Sequence, residues 1–128
     1  MIHHLEIYVK DLKRTRLFYE RLFALLDYEL YQEWEKGFSY RKHETYLVFV
    51  QVEKAYESAG YHRKQIGLNH LAFGVTTPHD VDCIRQALSG FVDELYADAY
   101  PHAGGQDVYT YFFEDPDRIK LEVVALES

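Results

Sequence analysis

The sequence predicts an α+β fold in which two tandem βαβββ modules form a cup-shaped mixed β-sheet with helices on the outside. The first observation is an internal repeat. Residues 4–9 (HLEIYV) recur near the middle of the chain as residues 70–75 (HLAFGV), with His, Leu and Val at the same offsets. Such self-similarity is typical of a chain built from two like units. The second observation is that each copy begins the same order of predicted elements: a strand, a helix and three more strands.

Composition limits the classes of partner and compartment. The chain has 128 residues, of which 48% are hydrophobic and 16% aromatic, and this fits one packed domain. Its net charge of −7 argues against nucleic acid and anionic membranes as partners. No signal peptide or long apolar segment is visible. Cys83 is the only cysteine, which excludes an intrachain disulfide and favours a cytoplasmic location.

Module one is predicted to span residues 1–52. Polar and apolar side chains alternate along residues 2–9, as in a strand with one buried face. Asp11 is a favourable N-cap for a helix that runs to about Leu26 with an apolar stripe at helical spacing. Alternation and a high content of Tyr, Val, Phe and Thr then predict three strands, at residues 28–35, 38–42 and 45–52.

A polar joint at residues 53–66 is expected to connect the two modules. It contains Gly60 and the basic run His62-Arg63-Lys64. A basic run of this kind could receive an anionic substrate, although it more often marks an ordinary solvated loop.

Module two is predicted to span residues 67–128. Thr77 and Pro78 mark the start of a helix, and Gly90 marks its end. A loop with Pro101, Gly104 and Gly105 is expected to be mobile. The remaining segments alternate as strands do, at residues 91–97, 108–114 and 119–126.

Three residues from distant parts of the chain form a candidate metal site. His4 and His70 occupy equivalent places in the repeat, so a pairing of the modules about a local twofold axis would bring them together. Glu122 alternates with apolar neighbours on the last strand, so it is expected to face the inside of the cup. A carboxylate there needs a cation or hydrogen-bond donors. Two imidazoles and one carboxylate are suitable ligands for a divalent metal such as Zn, Ni, Mn or Fe.

Four segments of the sequence stand out as motifs: residues 2–12 (IHHLEIYVKDL), 18–19 (FY), 68–73 (LNHLAF) and 115–122 (DPDRIKLE). Together they resemble the vicinal oxygen chelate superfamily. This group includes glyoxalase I, fosfomycin-resistance enzymes, extradiol dioxygenases, methylmalonyl-CoA epimerase and bleomycin-binding proteins. The resemblance covers nearly the whole chain and implies paired βαβββ modules and, in most members, a divalent metal that chelates neighbouring substrate oxygens.

The resemblance implies roles for individual residues. His4 matches the metal ligand of the first strand, His70 the ligand that opens module two, and Glu122 the carboxylate of the last strand. Glyoxalase I-like members carry a fourth ligand, a glutamate in the last strand of module one, and counting along the chain places Phe49 there. A phenylalanine cannot bind metal, and Gln51 on the same strand face could reach the site only with an amide oxygen, which is a weaker ligand. This favours a three-ligand site with water.

The predicted chemistry follows from such a site. We expect a metal-dependent enzyme that acts on a small oxygen-rich metabolite, either a lyase or isomerase of the lactoylglutathione lyase type or a dioxygenase, with Glu122 as the catalytic base. Aromatic and amide side chains would line the cup and contact the substrate, namely Tyr40, Phe49, Gln51, Tyr109 and Tyr111. The alternative is a metal-free protein that binds and sequesters small molecules, as bleomycin-binding proteins do.

We also predict a homodimer, because two modules leave strand edges that a second copy could cover. Light scattering of the purified protein should give twice the mass of one chain. A mass of one chain at all concentrations would contradict this expectation.

Overall fold

The computed structural model describes residues 1–128 and divides into two compact units, Met1–Gly60 (unit 1) and Tyr61–Ser128 (unit 2). Each unit contains one four-stranded mixed sheet and one α-helix. The predicted α+β class with two βαβββ modules is therefore confirmed. None of the helices has the length and apolar character that a membrane crossing requires.

Unit 1 is built on a sheet of strand order β1-β4-β3-β2. Strand β1 runs parallel to β4, and the other neighbours are antiparallel. A 3-10 segment, Lys54–Ala59, follows the sheet. The elements are β1 (His4–Val9), α1 (Leu12–Leu26), β2 (Glu29–Trp34), β3 (Gly37–Lys42) and β4 (Thr45–Gln51).

Helix α1 begins and ends as its sequence predicts. The Asp11 side chain accepts a hydrogen bond from the backbone N–H of Arg14, and Asp27 ends the helix in the left-handed conformation with φ 63°. The apolar stripe of α1 packs on one face of the sheet, where the ring of Tyr19 lies 4.2 Å from the ring of Phe49. We call this the helix face of the sheet and the other the helix-free face.

Unit 2 repeats this plan with strand order β5-β8-β7-β6. Thr77 and Asp80 form a reciprocal capping box at the start of its helix. The predicted strand at residues 91–97 is shorter than expected, because Tyr96 turns the chain with φ 59°. The elements are β5 (Leu71–Val75), α2 (Pro78–Leu88), β6 (Asp93–Leu95), β7 (Thr110–Glu114) and β8 (Lys120–Ala125).

The burial of Phe49 yields a stability prediction for unit 1. Its side chain is 0% exposed and contacts the rings of Tyr19, Phe23 and Phe38. Phe49→Ala should therefore lower the free energy of unfolding by about 3–5 kcal/mol in urea titrations. Leu17→Ala, at an exposed position of α1, should change it by less than about 0.5 kcal/mol. Equal effects of the two substitutions would contradict the placement of Phe49 in the core.

Candidate functional site

The central strand β8 of unit 2 presents a buried carboxylate on its helix-free face. Leu121 and Val123 are 0% exposed and point to the helix face, so Glu122 between them points the other way. Glu122 is itself only 8% exposed. A carboxylate removed from water needs compensating partners. One of them is Thr110 of the neighbouring strand β7, whose hydroxyl donates to Glu122 Oε2 at 2.6 Å.

The second partner of this carboxylate is His70, which lies just before β5. Its Nε2 atom is 3.0 Å from Glu122 Oε1, and its Nδ1 atom is 2.6 Å from Asn69 Oδ1. An amide oxygen only accepts, so Nδ1–H donates to Asn69, and the Nε2 lone pair of a neutral ring faces the carboxylate oxygen. Two acceptors that face each other need a cation between them, either a proton on Nε2 or a metal ion.

His4 has different surroundings in unit 1. Its exposed ring stacks on Tyr46, with centroids 4.8 Å apart and planes 7° apart. Its Nδ1 lies 2.9 Å from Nδ1 of the neighbouring His3. Neither unit by itself gathers three His, Cys, Asp or Glu side chains into a metal site. Unit 2 contributes the convergent pair His70 and Glu122.

Strand register corrects the position assigned to the fourth ligand. In unit 2, Glu122 pairs with Ala72, the second residue after His70. In unit 1, the second residue after His4 is Glu6, and it pairs with Val48. The residue equivalent to Glu122 is therefore Val48 rather than Phe49. A valine side chain cannot bind a metal, so the inference that this fourth protein ligand is missing remains.

The structure gives definite packing or hydrogen-bond partners to each of the five residues predicted to line the substrate cavity. Tyr40, Phe49 and Tyr111 are buried with the aromatic residues of the helix face. Burial raises the pKa of Tyr111 and is also the main cause of the raised pKa of Tyr40. Gln51 joins β4 to the start of α1, because its amide donates to Lys10 O and accepts from Leu12 N.

Tyr109, the fifth of these residues, is bonded to helix α2. Its hydroxyl donates to Asp82 Oδ1 at 2.7 Å, and the hydroxyl of Tyr100 donates to the same oxygen. These two bonds lower the pKa of Asp82. They also attach to α2 the first residue of the loop predicted to be mobile, residues 100–107, and Tyr109, which lies two residues beyond its end. A cavity of about 370 Å³ lies beside α2, away from the face that carries Glu122. Its lining residues are Asp82, Arg85, Gln86, Ser89, Glu94 and Tyr100.

Other aromatic residues lie beside the predicted ligands. Tyr46 stacks on His4, and Tyr31 lies 5.2 Å from Tyr46. In unit 2, the Phe112 ring meets the His70 ring edge to face, with centroids 5.8 Å apart. Phe112 is also the strand partner of Glu122. Strand alternation could have identified Phe112, because it shares its face with Thr110 and Glu122 once β7 and β8 are aligned.

Comparison with known proteins identifies the family. The family model described as the glyoxalase/bleomycin resistance protein/dioxygenase superfamily matches residues 1–123. The uncharacterized Bacillus subtilis protein YqjT is 44% identical over 126 residues, which cover 97% of this chain and 98% of YqjT.

Solved structures agree with this match. A candidate glyoxalase from Bacillus halodurans is 46% identical with a TM-score of 0.95, over 98% of this chain and 95% of that one. The fosfomycin resistance protein FosX from Listeria monocytogenes, solved with Mn(II) and sulfate, shares the fold with a TM-score of 0.68 at 16% identity. That match covers 98% of this chain and 91% of FosX. The chain thus belongs to the glyoxalase/bleomycin resistance protein/dioxygenase superfamily.

Proposed function

We propose that this protein is a metal-dependent enzyme that acts on a small oxygen-rich metabolite, with His4, His70 and Glu122 as the metal ligands. The observation that carries the proposal is the pair His70 Nε2 and Glu122 Oε1, which face each other at 3.0 Å. The Nδ1–H group of His70 is held by Asn69. Hydrogen bonding of the remote imidazole nitrogen is typical of histidines that bind metals through the other nitrogen.

The donor set fits a divalent metal with open coordination positions. Two imidazole nitrogens and one carboxylate suit Zn, Ni, Mn or Fe, and Val48 in the fourth position leaves room for water or substrate oxygens. The FosX structure with Mn(II) supports a divalent ion in this fold. When bound, such an ion would polarise substrate oxygens and stabilise the negative charge that develops on them.

The residues of the chain would then orient the substrate and move protons. Glu122 Oε1 would have to leave the metal briefly to accept a proton from a carbon next to a polarised carbonyl group, as an isomerase or lyase requires. Thr110 fixes the other carboxylate oxygen, Oε2, and so limits rotation of the group. The ring of Phe112 meets the His70 ring edge to face, with centroids 5.8 Å apart, and so limits the orientations of the imidazole. A dioxygenase would use the same ligand set, and activity assays must decide between these reactions.

Metal analysis of purified protein tests the proposal. Wild-type protein supplied with a divalent metal should retain about one ion per chain after dialysis, whereas His70→Ala and Glu122→Gln should retain far less. Asn69→Ala should weaken metal affinity by about 10–100-fold, because it frees the His70 ring to rotate and removes the acceptor for Nδ1–H. Calorimetric titration with the metal would measure both effects.

His79→Ala is a matched control, since His79 is an exposed histidine on α2 that should not affect metal binding. Equal metal content in wild-type, His70→Ala and Glu122→Gln proteins would disprove the proposal. If small molecules then bind equally well in chelator, the metal-free binding protein becomes the better assignment.

A further inference from the structure

A cluster of positive charge lies on the same face as Glu122, although the protein as a whole is acidic. Lys120 precedes Glu122 by two residues on β8, so the two side chains share the helix-free face about 7 Å apart along the strand. The Lys120 ammonium lies 4.8 Å from the centroids of both Tyr96 and Phe112 and donates a hydrogen bond to the Tyr96 hydroxyl at 3.1 Å. No carboxylate lies within salt-bridge distance of it.

Arg63 adds a second charge to this cluster. Its guanidinium is 2.6 Å from Glu114 Oε2, and its side chain is only 16% exposed, so this part of the joint is not a freely solvated loop. Arg118 contacts the same carboxylate oxygen at 3.3 Å. Three cations, Arg63, Arg118 and Lys120, thus lie near two carboxylates on this face: Glu114, which is the strand partner of Lys120, and Glu122. The local balance is positive in a chain whose net charge is −7.

This positive charge affects the pKa of the Tyr96 phenol. The hydrogen bond from Lys120 is the main cause of a lowered pKa of the Tyr96 phenol, and Arg63 also lowers it. An environment that favours a phenolate also favours other oxyanions.

We propose that Lys120, Tyr96 and Arg63 form a subsite for an anionic group of the substrate, a carboxylate or a phosphate. This inference rests on the proposed function, because it names the class of substrate that the metal site would take. The ammonium of Lys120 has three N–H donors, of which one is used by Tyr96, and the aromatic rings beneath it hold it in place. The face of Phe112 contacts Lys120 and also adjoins the His70 ring, so the subsite borders the predicted ligands.

Anion binding can be measured independently of metal. We would titrate ¹⁵N-labelled protein with inorganic phosphate, and separately with acetate, in excess chelator and at constant ionic strength adjusted with chloride. We expect saturable shifts of the amides near Tyr96 and Lys120 for at least one of the two anions. The anion that binds more tightly identifies the group, a phosphate or a carboxylate.

Three substitutions make the test specific. Lys120→Gln should weaken binding by about tenfold or more, whereas Lys120→Arg, which keeps the charge, should retain most of it. Lys13→Gln, which removes an exposed lysine of α1, should have no effect. Both Lys120 variants should keep wild-type amide spectra and wild-type metal content.

The outcomes separate this inference from the proposed function. Absence of saturable binding of either anion to wild-type protein, or equal binding to wild-type and Lys120→Gln proteins, would overturn the subsite whatever the metal content. Anion binding that depends on Lys120 supports it even if metal analysis disproves the metal site.

Discussion

The arrangement of unit 2 depends on compensation of one buried carboxylate. Glu122 is 8% exposed, and an ionised carboxyl group so far from water is destabilising unless donors or cations replace its hydration. Its partners come from both neighbouring strands. Thr110 belongs to antiparallel β7, and His70 is the residue immediately before parallel β5. Glu122 is therefore compensated only when three strands are aligned, and the candidate site depends on the same alignment.

Local signals in the sequence were sufficient to predict the elements of each unit. Asp11 caps α1, and Thr77 with Asp80 caps α2, because these side chains satisfy backbone N–H groups that every helix start leaves unpaired. The apolar stripe of α1 and the alternation along β1, β4 and β8 depend only on near neighbours. The internal repeat then supplied the two-module order, and the family resemblance supplied the candidate ligands.

The surroundings of the predicted substrate contacts could not be derived from the sequence, because they depend on long-range register. Alternation shows which residues of β4 share a face, but not which face a helix will cover. The aromatic ring of Phe49 makes it a candidate for the cavity wall, and α1 buries that same ring. The pairing of Glu6 with Val48, which identifies the true equivalent of Glu122, joins residues far apart in the chain. Only the assembled sheet reveals it.

Register also shows one equivalent position at which the two halves of the chain carry different side chains. Leu5 pairs with Leu47 and Leu71 with Leu121, so the preceding residues Tyr46 and Lys120 occupy the same place in their sheets. One carries a flat ring stacked on histidine, the other a cation. Both project from the side that no helix covers, so exchanges there leave the hydrophobic interior of each half untouched. This pair of positions can therefore carry different chemistry in the two halves without altering how either half packs its core.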